Sequence, residues 1–297
     1  SEYKEGSKSQ NPPPPFTTSV LQQDASRKLG FTTKKTMMLA QQLYEGVEIN
    51  GVGTGLVTYI RTDSVRIAEE AVHEVREYIS AHYDAKYLPA KPHFYKAKKN
   101  SQDAHEAIRP TSMSFTPEEV KASLTNDQYK LYKLIFERFV ACQMAAAKYA
   151  TISVGITAND RYLFKTGTAK RMFDGFMALY VDSDKEETKT GGTLPEMKIG
   201  DELVWNDFEK EQHFTSPPPR YNEASLVKEM EIKGIGRPST YAPTVSTILE
   251  RDYIEREKKT LKPTALGICV TDMMAENFSN IVDLKFTASM EVGGQAV

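Results

Sequence analysis

A chain of 297 residues with a formal net charge of −2, 40% hydrophobic and 26% charged, is long enough for two or three folded domains. No apolar run approaches the roughly 20 residues of a membrane span. The near-neutral charge excludes a bulk polyelectrolyte binder, so any nucleic-acid site has to be a local patch. Two cysteines without a Cys-x-x-Cys spacing and 5 histidines indicate neither a disulfide framework nor a structural zinc site. The start, Ser1-Glu2-Tyr3-Lys4-Glu5, lacks an initiator Met and a signal-peptide apolar stretch. That points to a processed or excised piece and to the cytoplasm.

Residues 1–15 end in four prolines and read as an extended linker or strand entry, not a helix. Thr17 and Thr18 cap a helix expected to run to Leu29, with Gly30 as its stop, and a second helix follows over about Thr33 to Tyr44. Gln22, Gln23, Arg27, Lys28, Lys34 and Lys35 give this pair a polar, basic side that is expected to face solvent. Leu56-Val57-Thr58-Tyr59 reads as a short strand, after which Ser64 opens a helix expected over Val65 to His82, with Ala68, Val72, Val75 and Ile79 as its stripe. Thr116-Pro117-Glu118-Glu119 is a strong helix start, and another helix spans about Thr125 to Met144. Leu131, Leu134, Ile135, Phe139 and Cys142 mark its inward face. Residues 16–145 therefore read as a helical domain.

The texture changes at Ala150. Thr151–Ile156 and Arg161–Lys165 alternate with period two, and Phe173–Val181 and Glu202–Phe208 are further strand candidates. Residues 146–215 thus read as a β-rich arm, closed by Pro217-Pro218-Pro219. Helices resume with Asn222 capping Glu223–Ile232. After Lys233-Gly234-Ile235-Gly236, Ser239 or Thr240 caps a helix to Glu250. A basic hairpin around Lys258-Lys259 and a last helix from Thr264 to Phe278 follow. Helix, tight turn, helix and hairpin is the order of a helix-turn-helix with a wing, so residues 216–297 read as a DNA-binding helical domain. Its final stretch, Glu291–Val297, does not continue a helical pattern.

Three stretches can carry chemistry. In Thr58-Tyr59-Ile60-Arg61-Thr62-Asp63-Ser64, an extended backbone sends Tyr59 and Arg61 out on one face. A phenol beside a guanidinium suits phosphoryl transfer, because the guanidinium grips the phosphate and favours the phenolate. A phosphotyrosine link conserves the ester, so a strand cut this way can be resealed without ATP. With 15 tyrosines in the chain, a buried core Tyr is the competing reading. In His105-Glu106-Ala107-Ile108-Arg109-Pro110, the second His of a zinc-binding helix is replaced by Arg, so His105 reads as a phosphate donor with Arg109 nearby, or as a core His. In Gly234-Ile235-Gly236-Arg237-Pro238-Ser239-Thr240-Tyr241, two glycines, hydroxyls and a helix N-terminus favour an anion, against an ordinary capped turn. Asp182-Ser183-Asp184-Lys185-Glu186 has a magnesium-like spacing but lies in a long polar run with no helix after it, and reads as a solvated loop. No metal ligand is assigned.

Taken together and in order, Phe16–Gln23, Leu56–Ser64, Ala104–Pro110, Phe139–Met144 and Gly234–Tyr241 closely resemble the type IA DNA topoisomerases of bacteria. The resemblance spans almost the whole chain. It implies a piece of a toroidal, multidomain α and β enzyme: a helical lobe bearing the tyrosine, a β-rich arm and a second, winged-helix-like helical domain. It implies Tyr59 as the nucleophile that forms a 5′-phosphotyrosine link to one DNA strand, Arg61 as the transition-state stabiliser and His105 at the scissile phosphate, with Arg237 and Thr240 on the path of single-stranded DNA. It further implies relaxation of negatively supercoiled DNA by a monomer that needs Mg2+. The magnesium-binding cluster belongs to a toprim domain that has no counterpart here, so this chain alone is expected to hold no metal and to be inactive. The alternative, from residues 222–278, is a winged-helix DNA-binding module without catalysis. A tyrosine recombinase or type IB enzyme normally has its Tyr after the Arg and His elements; here it comes before them.

Overall fold

Hydroxyl and amide caps mark where most of the helices begin. The computed structural model describes residues 2–95, 105–159, 161–181, 194–195, 197–204, 207 and 209–293. Strand β1 (Glu2–Gln10) leads through the proline run to α1 (Thr18–Asp24), whose N-cap Thr17 accepts from the Val20 amide. The helix widens into a π-type turn over Ala25–Leu29 and stops at Gly30, where φ is 68°. Thr32 caps α2 (Thr33–Glu45), and a small hairpin, β2 (Val47–Ile49) and β3 (Val52–Thr54), brings the chain to the Tyr59 segment. Helices α3 (Glu69–His82), α4 (Pro117–Val120) and α5 (Asn126–Cys142) complete a helical lobe. Capping boxes, Thr116 with Glu119 and Thr125 with Gln128, open the last two. Strands β4 (Ala147–Ala158) and β5 (Tyr162–Phe173) join β1 in an antiparallel sheet of order β1-β4-β5. The remainder is α6 (Glu223–Lys233), α7 (Tyr241–Glu250), the hairpin β6 (Ile254–Glu257) and β7 (Thr260–Pro263), α8 (Ala265–Asn277) and α9 (Leu284–Gly293).

One apolar cluster holds the lobe together. It takes Phe16, Leu21, Leu43, Ile79, Leu131 and Phe139 from successive elements, all essentially sealed from water. Phe176, Met177 and Tyr180, from the strap that follows β5, belong to the same cluster. A separate small cluster of Val227, Met230, Tyr241 and Val245 joins α6 to α7. Helix α1 packs on α6, which explains why its polar residues are buried.

Several expectations need correction. The basic, polar side of the first two helices is not a solvated face throughout: Gln22 and Gln23 are buried, since α1 is covered by both the lobe and α6. Helix α3 starts at Glu69 rather than Val65, because Thr62 and Ser64 spend their hydroxyls accepting from the Ser64 and Arg66 amides in local turns. The Tyr59 segment is not a strand: among the described residues it makes a single bridge, from Val57 to Pro110, and the chain bends at Ile60 and Arg61. Phe173–Val181 is not a strand. Gly175, at φ 52°, lies so close to the backbone of Ala145 and Ala146 that a Cβ would meet the Ala145 carbonyl at 2.4 Å, and a short 3-10 turn over Gly175–Ala178 drops Phe176 and Met177 into the core. Residues 202–204 form no strand either, and the Asp182–Glu186 cluster lies outside the described residues. Strands β4 and β5 run to 12 residues each, beyond the alternating stretches, because β5 is largely exposed on both faces and carries little amphipathic signal. Helix α9 covers Leu284–Gly293, where no helix was expected; the missed signal is Asp283, whose carboxylate accepts from the Phe286 amide. Cys269 is exposed on α8 while Cys142 is buried, and burial pushes the Cys142 thiol up to about 12.

Candidate active site

The Tyr59 segment is clamped from both sides by backbone and hydroxyl bonds. On one side Thr18, at the start of α1, uses its hydroxyl to reach the carbonyls of Ile60 (2.7 Å) and Thr62 (3.0 Å) and to accept from the Thr62 amide (2.9 Å). On the other side the His105–Thr111 stretch lies alongside. The Thr58 amide donates to the Arg109 carbonyl at 2.9 Å, and the Thr58 hydroxyl donates to the Ala107 carbonyl at 2.7 Å. Ile60, 1% exposed, anchors the middle of the segment in the core. Tyr59 and Arg61, on either side of it where the chain bends, are both exposed.

Tyr59 is 39% exposed, half sunk between two aromatic neighbours. The His105 ring lies 5.1 Å away at a tilt of 33°, and Tyr44 at the end of α2 meets it edge-on at 5.7 Å. Met37, Met38 and Gln41 of α2 join Tyr59, Ile60 and Arg61 around an open groove of about 410 Å³. A second recess of about 370 Å³ shares Met37 and Arg61 and continues to Pro238 and Ser239, with Lys34 and Glu250 on its rim. Arg61 stands where the two meet. An elongated trough lined by a phenol, a guanidinium, hydroxyls and thioethers has room for a nucleic-acid strand, with the phosphate held beside Tyr59.

The other candidates divide. His105 lies at Tyr59, as the sequence suggests. Arg109 does not face the groove as a free cation; its guanidinium donates to Glu106 at 2.8 Å and to the Pro110 carbonyl at 2.9 Å, which shapes its own loop. The Gly234–Tyr241 turn reaches the trough through Pro238 and Ser239. Arg237 instead donates to the Glu291 carbonyl of α9 at 2.5 Å and pairs with the Glu291 carboxylate at 3.4 Å. The Thr240 hydroxyl accepts from the Arg237 amide at 2.8 Å and so closes the turn. Burial, then the charge of Glu231, push the Tyr241 phenol behind this turn up to about 12, with Arg237 opposing. Among the described residues no group of three or more His, Cys, Asp or Glu side chains could hold a metal ion.

A family model described as DNA topoisomerase matches residues 1–293. The chain belongs to the DNA topoisomerase family. The comparisons agree on the bacterial type IA branch of this family. The chain is 50% identical to DNA topoisomerase 1 of Campylobacter jejuni over 281 residues, which is 94% of this chain and 39% of that protein. It superposes on full-length topoisomerase I from Thermotoga maritima with a TM-score of 0.80 at 40% identity, covering 98% of this chain and 47% of that one. It thus spans less than half the length of either topoisomerase.

Within this topoisomerase segment, several trough residues had not been assigned to the site. Lys34, expected on a solvated face, and Met37, Met38 and Gln41 recur at helical spacing along α2, and that spacing was a usable signal. Ser246 and Thr247 of α7 line the second recess but look like ordinary surface hydroxyls in the sequence. Among the described residues no helix is long and apolar enough to cross a membrane.

Proposed function

We propose that this chain is the strand-breaking part of a type IA topoisomerase and that Tyr59 is its nucleophile. The observation that carries the reading is the half-exposed Tyr59 phenol, packed against the His105 ring and flanked by Arg61, in a trough that continues to Ser239. The Tyr59 oxygen attacks the phosphorus of one phosphodiester in single-stranded DNA. The bond from tyrosine to the 5′-phosphate forms as the bond to the 3′ oxygen breaks; the phenol gives up its proton and the departing 3′ oxygen gains one. Arg61 holds the phosphate oxygens and stabilises the charge that builds on them. His105 holds the ring of Tyr59 and donates to the same phosphate. Attack by the 3′ hydroxyl reverses the step after another strand has passed, and negatively supercoiled DNA is relaxed.

The partners in this reading are single-stranded DNA and a toprim domain of the same parent chain, which would bind Mg2+ and supply the remaining catalytic groups. Ser239, Arg237 and Thr240 form and support the far wall of the DNA path, and the unit acts as a monomer in the cytoplasm. The 297 residues alone are expected to bind single strands weakly and to relax no DNA. The test is to mix the parent enzyme with a single-stranded oligonucleotide and trap it in denaturant. A covalent adduct that disappears in Tyr59→Phe is expected, and an adduct that persists there places the nucleophile elsewhere. A second reading, a winged-helix DNA-binding module without chemistry, draws on the succession of α6, α7, the β6–β7 hairpin and α8. It predicts no adduct in either protein.

A further inference from the structure

The lobe and the α6–α7 unit meet across a polar seam. The apolar cluster of the lobe and that of α6 and α7 have no residue in common among the described residues. Between them stands Glu223, in the first turn of α6, with 7% of its surface exposed. Its Oε2 accepts from the Thr33 amide at 2.7 Å and from the Thr33 hydroxyl at 3.0 Å. Its Oε1 accepts from Arg256 of β6, from Nε at 3.0 Å and also from Nη2. Thr33 opens α2, so its amide is one of the donors that a helix cannot satisfy from within. Thr32 already spends its hydroxyl on the Lys35 amide. A carboxylate from a different part of the chain therefore completes the cap of α2, where the helix dipole favours negative charge. Ser19 adds a second polar bond across the seam, donating to Glu231 at 2.9 Å.

We propose that Glu223 is a detachable clasp. It is a positioning residue that holds the start of α2, and with it the Met37, Met38 and Gln41 wall beside Tyr59, against α6 and Arg256. It lets go when the two faces part. This rests on the reading that a second strand passes between them while Tyr59 carries the first. The chemistry suits repeated parting. Every group in the clasp recovers a water partner on opening, whereas an apolar seam would expose surface that resists separation. The clasp also explains why a near-buried carboxylate from α6 lies at the start of α2.

Two measurements on Glu223→Gln and Glu223→Ala test it, with Arg256→Ala as a variant that leaves Glu223 in place. The first is amide hydrogen exchange in the 297-residue chain, with no DNA present. Exchange should quicken about tenfold or more at Thr33–Lys35 and also along α1 and α6, at unchanged rates in β4. The Gln variant, which keeps one acceptor oxygen, should fall between wild type and Ala. Quickening confined to the Thr33 amide, or spread equally through β4, overturns the clasp. The second uses the parent enzyme: Glu223→Gln should still form the covalent adduct on single-stranded DNA, and should accumulate more of it, while plasmid relaxation slows several-fold. Equal loss of both activities marks a merely structural residue and overturns the proposal, as does no change in either. Failure of the Tyr59 reading is distinguishable, because wild-type enzyme would then form no adduct while the exchange result stands by itself.

Discussion

The helical lobe is held on two sides, and the two sides are built from different chemistry. Toward the β arm, the strap after β5 is embedded in the lobe's own core. Phe176 and Tyr180 are almost fully buried, and Tyr180 meets Phe16 edge-on at 6.5 Å. Beneath it, Arg138 pairs with Asp24 at 3.3 Å, donates to the Pro14 carbonyl at 2.6 Å, and lies 4.8 Å from the centre of the Phe16 ring. Tyr180 donates to the same Asp24 carboxylate, and burial drives its phenol well above the usual range. Toward α6 and α7 the lobe offers hydroxyls, amides and a carboxylate. Parting the first attachment would expose buried apolar surface to water; parting the second exchanges protein hydrogen bonds for water at small net cost. Strap and lobe should therefore move as one body, with any parting at the polar seam.

The largest effects should follow from injuring the apolar side. Phe176→Ala should destabilise the chain by about 3–5 kcal/mol through the cavity it leaves, and Arg138→Ala by about 1–3 kcal/mol, because Asp24 keeps Arg27 at 3.5 Å and the Tyr180 hydroxyl, both read by denaturant unfolding. Next comes Thr18→Val, which leaves the Thr62 amide without its acceptor. A loss of about 1–3 kcal/mol is expected, with adduct formation by the parent enzyme slowed as the Tyr59 segment loosens. Alkaline pH should act on both sides, through Tyr180 in the strap and, on the α6–α7 side, through Tyr241. The folded-state pKa of Tyr241 is raised, so its stabilising effect is intact below the unfolded value of about 10 and is lost as pH rises through about 12. Tyr241→Phe should flatten that decline in unfolding midpoints measured across the window. The smallest effect should come from Lys34→Ala, which removes an exposed pair with Glu250 at 3.4 Å and should change stability by no more than about 0.5 kcal/mol. If Lys34→Ala cost as much as Phe176→Ala, the contrast between the two attachments would fail.

Much of this was readable along the chain. Caps at Thr17, Thr116, Thr125, Asn222 and Thr264 announced their helices, because a cap is a local bond between residues three apart. The outward pairing of Tyr59 with Arg61 was expected from strand alternation; both are exposed, although the chain bends at Ile60 and Arg61. The strap at Gly175 was not readable. Its run of apolar residues fits a strand as well as a turn, and the choice falls to the backbone of Ala145 and Ala146 pressing on Gly175. Nor was the role of Arg237, whose partner Glu291 lies 54 residues further on.

By itself, then, the sequence determined most of the helix starts, though not those of α3 and α9, the chemistry on offer at Tyr59, Arg61 and His105, and the family. Each depends on residues that are neighbours in the chain or on ordered motifs. Only the tertiary structure decided which of those groups share a trough, that Arg109 and Arg237 are tied down elsewhere, and that a carboxylate at position 223 caps a helix beginning at position 33. Those are contacts between distant segments, and burial that is set by another part of the chain leaves no periodic trace in the residues it covers.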